Sequence, residues 1–195
     1  MIVKMDMANG FDRVNLGFLV VVLQRFGFSR KAIDIIKSCI MGPWIAPLVN
    51  ERQSGYFQSS RELRQGCPLS PLLYIIMVVS LSRCLEKCRQ DRNITGLSIS
   101  PEVKSINHSL FADDTLIMGR ASYIMARRIK KVLNSFLEAS GGLLNNQKCR
   151  IYGWNTSTHS LQKVSEILEI PFQEKWSHFQ YLGLPISKEN LKTSI

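Results

Sequence analysis

Apolar residues recur along this chain in two rhythms, one of period 3.6 and one of period 2, and the rhythms mark its elements. Leu16, Leu19, Val20, Leu23 and Phe26 predict a helix capped by Asn15 and ended by Gly27. Ser29 caps a second helix, with Ala32, Ile33, Ile36, Cys39 and Ile40 on one face. A third helix, from about Leu72 to Cys88, is apolar around most of its circumference, which predicts burial at the centre of the core. A fourth runs from about Ser122 to Ser140 on the stripe Met125, Ile129, Val132, Leu133, Phe136 and Leu137, and Gly141-Gly142 end it. A smaller helix lies near Leu161–Leu168.

Shorter segments read as strands. Ile2-Val3-Lys4-Met5-Asp6 is one, and the turn-rich stretch from Gly42 to Gly55 predicts a hairpin with arms Trp44–Val49 and Tyr56–Phe57. Ser109–Ala112 and Thr115–Met118 flank Asp113-Asp114, the pattern of a hairpin with carboxylates at its tip. A strand–turn–strand covers Leu143–Tyr152, and Phe179–Ile186 closes the pattern. No repeat, low-complexity tract or interdomain linker interrupts it, so the expectation is one α+β unit.

The chain has 195 residues, within the span of one domain at roughly 100–200 residues each. Its 45% apolar content permits a core and excludes wholesale disorder. The longest apolar run, Leu72 to Val79, falls far short of the roughly 18–20 residues a bilayer span needs. No secretory signal pattern opens the sequence. A formal charge of +10 and a pI near 9.6 suggest a polyanionic partner. Five irregularly spaced cysteines (Cys39, Cys67, Cys84, Cys88, Cys149) argue against a disulfide framework. Cys84 and Cys88 have a spacing a metal could use, but no second Cys/His pair follows, and buried small hydrophobes are the favoured reading for all five.

Asp113-Asp114 carries the most chemistry. Adjacent carboxylates repel, and a fold holds them between apolar strands only if solvent or a cation relieves the cost. At a hairpin turn both can lean toward one divalent ion, and Mg²⁺ asks only for hard oxygen ligands. A third acid, Asp6, ends the first strand. If that strand pairs beside the hairpin, Asp6 and Asp113 could hold two ions roughly 3.5–4 Å apart. The plain alternative, that Asp113 and Asp114 are ordinary turn residues, stays open on these residues alone.

The surrounding sequence resembles a known family. Met5-Asp6 through Val14 resembles the first acidic motif of reverse transcriptases. Arg64-Gln65-Gly66-Cys67-Pro68-Leu69-Ser70-Pro71 matches R-Q-G-x-P-L-S-P, and Phe111-Ala112-Asp113-Asp114 matches F-A-D-D. Ser140-Gly141 with Asn145 and Lys148 resembles S-G-x-x-x-N-x-x-K, and Tyr181-Leu182-Gly183 the Y-L-G motif. All five stand in family order from residue 4 to about 186, most like non-LTR, LINE-type retrotransposon polymerases. The implied fold is an α+β palm of a right-hand polymerase, a small antiparallel sheet packed on helices. Residues 1–195 would form a partial reverse transcriptase domain, from the first acidic motif through Y-L-G.

The resemblance implies that Asp6 and Asp113 are the main metal ligands, with Asp114 assisting, for Mg²⁺ or alternatively Mn²⁺. It implies that Ala112 gives the primer end room and that Phe11 is a steric gate under the incoming sugar. Arg64, Gln65 and Gly66 would lie beside the incoming nucleotide and template base. Lys148 would assist the leaving pyrophosphate, and Tyr181, Leu182 and Gly183 would grip the primer backbone. The partners implied are an RNA template, a DNA primer and dNTPs, with no membrane, and nuclear residence follows from the family's life cycle. Each residue has a plainer reading: Phe11 as a core aromatic, Gln65-Gly66 as a helix-start loop, Lys148 as a solvated lysine, Tyr181–Gly183 as a packing hairpin. Arg120, Arg127, Arg128, Lys130 and Lys131 lie opposite the apolar stripe of their helix and read as a solvated face.

Two positions depart from the pattern. Gly10 stands where relatives usually have Ala, which loosens the turn before the gate. Glu62 stands where many have Gly, which would be strained at positive φ and adds negative charge near phosphate. Family members carry fingers before the first acidic motif and a thumb after Y-L-G, so flanking sequence is where these parts are expected. Two functions remain from the sequence: template-directed nucleotidyl transfer, or a catalytically inactive retrotransposon remnant that binds nucleic acid non-specifically. A metal-dependent nuclease is disfavoured because R-Q-G-x-P-L-S-P has no role in one.

Overall fold

Five residues, Ile2–Asp6, form the strand on which the main sheet is built. This strand, β1, buries Val3 and Met5 completely on one face and carries Ile2, Lys4 and Asp6 on the other. The computed structural model describes residues 1–41, 44–58, 63–98, 100, 102 and 104–188. Its contacts divide the chain into two compact units that interleave in sequence. One comprises Met1–Asp6, Leu85–Lys131 and the chain from Asn145 on; the other comprises Met7–Cys84 and Val132–Leu144. The chain was expected to form one unit. The division falls inside two helices and beside β1, so no Gly- or Pro-rich linker marks it.

The first unit holds a five-stranded sheet in the order β6-β7-β1-β8-β9. Its strands are β1, β6 (His108–Phe111), β7 (Asp114–Met118), β8 (Arg150–Tyr152) and β9 (Phe172–Gln173). β1 is flanked by antiparallel β7 and β8, with Ile2 opposite both Met118 and Tyr152. The β8–β9 pair is parallel, so the sheet is mixed where a purely antiparallel one was expected. The parallel step is possible because α5 (Thr158–Leu168) lies between those strands and makes the crossover. Ser157 caps that helix, its Oγ accepting from the Ser160 N–H at 3.2 Å.

A separate hairpin, β10 (His178–Tyr181) and β11 (Leu184–Ser187), belongs to the same unit. Its turn places Leu182 and Gly183 at φ +52° and +78°, the two left-handed residues of a type I′ turn. Phe179 is buried in a cluster with Ile2, Leu116 and Tyr152, all from the Lys4–Asp6 face of the sheet. The Phe179 and Tyr152 rings stack at 4.1 Å, and Trp176 packs edge-on to Tyr152 at 5.3 Å. This aromatic clasp fastens the hairpin to the sheet.

The second unit holds α1 (Leu16–Arg25) and α2 (Arg30–Met41), with both predicted caps in place. Asn15 Oδ1 accepts from the Phe18 N–H at 3.1 Å, and Ser29 Oγ from the Ala32 N–H at 3.2 Å. The predicted hairpin is present as two short ladders. β2 (Trp44–Ile45) pairs with β5 (Phe57–Gln58), and β3 (Leu48–Val49) with β4 (Arg52–Gln53). Pro47, without an N–H to donate, sits at the interruption. Gly42, where the turn-rich stretch was expected to begin, and Arg61-Glu62 lie outside the described residues.

Two burial expectations are corrected. α3 (Ser70–Gln90) buries Leu73, Tyr74, Met77, Val78, Leu81 and Leu85, but Leu72 and Ile75 are exposed. It has one buried face and is not buried all round. Of the five cysteines only Cys149 is buried; Cys39 and Cys84 are exposed. Cys39 follows the helical stripe of α2, yet that helix fully buries only Ile33.

Candidate active site

The Asp113-Asp114 hairpin is built by a two-residue connection. Phe111 pairs with Asp114, leaving Ala112 and Asp113 as the turn, with Ala112 in the left-handed region at φ +52°. An alanine at positive φ is strained, and such strain persists only where surroundings enforce it. Asp113 is exposed at the tip, while Asp114 is the first residue of β7 and half-buried. The register of β1 on β7 sets Asp6 directly opposite Asp114. Cross-strand partners share a face, so these two carboxylates face the same side of the sheet. The residue in register with Asp6 is therefore Asp114, and Asp113 precedes it in the turn.

Asp6 is the most buried of the three acids, at 8% exposure. Lys148 Nζ lies 3.4 Å from its Oδ2. The motif residue Asn145 explains how: its N–H donates to the Asp6 carbonyl at 2.9 Å, and its Oδ1 accepts from the Gln147 N–H. Its own carbonyl accepts from the Lys148 N–H at 3.0 Å. Asn145 thus pins a tight turn to the end of β1 and delivers Lys148 to the carboxylate.

Burial pushes the Asp114 carboxyl above its ordinary value, and the neighbouring Asp113 and Asp6 charges push it the same way. Lys4 and Lys148 pull it back. Lys4, which sequence reasoning did not single out, stands beside Asp6 on the same face of β1. Its Nζ donates to the Gln180 carbonyl at 3.0 Å, tying the carboxylate end of β1 to the Tyr181-Leu182-Gly183 hairpin. The only sequence signal for it was a lysine two residues before Asp6 in a strand of alternating burial. Tyr181 adds a second tie through its hydroxyl, 3.1 Å from Ser109 Oγ.

The donor set suits a hard divalent cation, since two carboxylates face one side of the sheet and offer oxygen ligands. Among the described residues, however, no three His, Cys, Asp or Glu side chains converge closely enough to hold a metal ion.

In the second unit, Phe11 opens a single 3₁₀ turn, Phe11–Arg13, and its ring stacks on Tyr74. The Phe11 carbonyl accepts from the Leu63 N–H at 2.9 Å, and Gln65 Nε2 donates to Asp12 Oδ1 at 3.0 Å. These bonds hold Phe11 beside the Arg64-Gln65-Gly66 loop. Neither Asp12 nor Tyr74 was singled out by sequence. The Arg64 carbonyl accepts from Cys67 N–H at 3.2 Å and from Ser70 Oγ at 2.8 Å, so the loop is a turn locked to the start of α3. Gly66 sits at its third position with φ +86°, which a type II turn requires. That requirement accounts for the glycine without a ligand. Arg64 and Gln65 are exposed.

The basic residues of α4 (Tyr123–Ser140) include two with structural partners. Lys130 pairs with Glu169 at 2.9 Å, and an Arg128 guanidinium N–H donates to the Asn93 carbonyl at 2.8 Å. Arg120, Arg127, Arg128 and Lys131 are exposed, as a solvated face requires.

Comparison with known proteins places this geometry. The family model for reverse transcriptase (RNA-dependent DNA polymerase) matches residues 1–186. The chain is 24% identical over 196 residues to the transposon TX1 149 kDa protein of Xenopus laevis, covering 98% of this chain and 14% of that protein. It is 24% identical over 190 residues to the Pol polyprotein of retrotransposable element R2DM of Drosophila melanogaster, covering 94% and 17%. It therefore spans a small part of these relatives' length. Apo telomerase from Candida tropicalis, truncated from its C-terminal domain, has the same fold, with a TM-score of 0.66 at 15% identity over 95% of this chain and 33% of that one. The chain belongs to the reverse transcriptase (RNA-dependent DNA polymerase) family, with relatives among LINE-type retrotransposon polyproteins.

Proposed function

We propose that this chain carries the palm chemistry of an RNA-directed DNA polymerase, adding deoxynucleotides to a primer 3′ end on an RNA template. The observation that carries the reading is the pairing of Asp6 with Asp114 on one sheet face, with Lys148 at 3.4 Å from Asp6. Two carboxylates held face to face against their repulsion favour a charged ligand over a purely structural role.

In this reading Asp6 and Asp114 hold a divalent cation, Mg²⁺ or Mn²⁺, and Asp113 at the turn contributes from the same end of the hairpin. Such an ion, when bound, neutralises charge on the attacking and leaving oxygens of phosphoryl transfer. The chain's own part is placement. Lys148 offers a proton or positive charge to the departing pyrophosphate, and it can leave Asp6 to do so because it is two-thirds exposed. Ala112 keeps the turn narrow for the primer end. The Tyr181-Leu182-Gly183 hairpin receives the primer backbone, and the clasp under Phe179 with the Lys4–Gln180 bond sets its distance from the carboxylates. Phe11 is the sugar gate, and Arg64, Gln65 and Gly66 take the incoming nucleotide.

Primer extension on poly(rA)/oligo(dT) with Mg²⁺, beside an Asp113→Ala, Asp114→Ala control, tests the proposal. The expected result is incorporation that the control abolishes. No incorporation by demonstrably folded protein overturns the reading and leaves the remnant, with non-specific nucleic-acid binding as its residual activity.

A further inference from the structure

Tyr74 lies in the first turns of α3, only 2% exposed, and its ring is held from two sides. On one side it stacks on Phe11, with centroids 4.8 Å apart and planes 23° from parallel. On the other its hydroxyl edge lies over the Cα of Gly10. A Cβ added at Gly10 would stand 2.8 Å from Tyr74 Cζ and 3.0 Å from Cε2, and closer still to the hydroxyl oxygen. Gly10 has φ −53° and ψ −39°, a conformation any L residue adopts. Its backbone does not need glycine; the Tyr74 hydroxyl does. The sequence suggested that Gly10 loosens the turn before Phe11, and the structure reverses that: the missing methyl is filled by the tyrosine.

The consequence falls on Phe11. Its backbone is fixed by the Leu63 N–H bond to its carbonyl, so the ring's attitude is set by what it stacks upon. The cavity beside Gly10 and Tyr74, lined also by Val14, Met77 and Phe136, is only about 10 Å³. Because the two rings stack directly, a displaced Tyr74 ring passes its displacement to Phe11.

We propose that Tyr74 is the positioning residue of the sugar gate, with Gly10 as the space that admits its hydroxyl, so that the Gly10–Tyr74 pair sets how closely Phe11 approaches the nucleotide sugar. The inference rests on the polymerase reading above and adds a specificity determinant to it.

The test uses the full chain with Gly10→Ala, Tyr74→Phe and the double variant, in two measurements. Thermal denaturation, which needs no activity, should show Gly10→Ala lowering Tm by about 2–4 °C or more, with a smaller loss in the Tyr74→Phe background, where the hydroxyl contact is gone and the Cζ and Cε2 contacts remain. Single-nucleotide extension should show the dTTP-to-UTP preference moving about 10-fold in Gly10→Ala, through KM more than kcat, and returning part of the way in the double variant, which relieves the hydroxyl contact alone. A 1 Å misplacement can cost roughly 100-fold, so the expected change is modest on that scale. Additive Tm losses would overturn the contact. Coupled losses with an unmoved sugar preference would reduce the pair to packing and overturn the positioning role. Failure of the unsubstituted chain to incorporate dTTP would sink the polymerase reading, and the gate with it, whatever the denaturation cycle shows.

Discussion

Asp6 and Asp114 are direct cross-strand partners, and they sit at the last residue of β1 and the first of β7, where the sheet runs out. Like charges directly opposite one another destabilise a ladder. Here that cost is placed at the end of the strands, beside Lys4 and Lys148, where it disturbs the rest of the sheet least.

Asp114→Asn should therefore stabilise the folded chain at neutral pH, by roughly 0.2–1 kcal/mol, the range for a cross-strand pair. Because burial raises the Asp114 carboxyl, the folded state favours its protonated form. The stability linked to this group is full in acid and declines as pH rises through the carboxylate range. The gain from Asp114→Asn should accordingly be present at pH 7 and fade near pH 3. Urea midpoints at the two pH values check this; a lower midpoint for the variant at pH 7 would refute it.

Phe179→Ala removes the centre of the clasp between the β10–β11 hairpin and the sheet. Truncating a buried phenylalanine costs about 3–5 kcal/mol. Because Trp176 packs 5.9 Å from Phe179, its fluorescence should red-shift as the hairpin loosens. An unchanged spectrum with full loss of stability would place the defect elsewhere.

Gly183→Val puts a β-branched residue at φ +78° with open space around it, so any effect comes from the backbone alone. The expected cost is roughly 1–3 kcal/mol. Gly55, which also has open space and no positive φ, supplies the control: Gly55→Val should leave the denaturation midpoint nearly unmoved.

His108 is held below its ordinary pKa chiefly by burial, although the Glu86 charge pulls the other way. Folding thus favours the neutral ring, and the stability linked to it is lost as pH falls below the usual histidine range. Glu86, kept ionised far into acid by Arg89 and Lys104, adds no slope of its own there. His108→Gln should flatten the fall in urea midpoint between pH 7.5 and 5.5. An equally steep fall in the variant would assign the acid sensitivity to another group.

Much of this molecule was legible locally. Asn15 and Ser29 mark helix starts because a cap is a contact between residues three apart, and periodicity alone located α4. The hairpin could be read from two apolar segments around two acids, although its turn is Ala112–Asp113 and Asp114 already belongs to the second strand. What escaped was set by distant pairing. That Asp114 faces Asp6 depends on the register of strands more than 100 residues apart. The interleaved units left no linker to see. Cys39 and Leu72 follow helical stripes that are wider than the faces actually covered. Gly10 looked like a defect because its compensation, Tyr74, is 64 residues away in sequence and adjacent only in the fold.

β1 lies at the centre of its sheet, yet its two neighbours are residues 114–118 and 150–152. During synthesis at about 5–20 residues per second, β8 emerges roughly 7–30 s after β1. Through that interval the central strand of the sheet is a nascent segment with both hydrogen-bonding edges open. The acidic centre is thus assembled late, since Asp6 and Asp114 meet only when β7 docks on β1, and β8 closes the other edge after that.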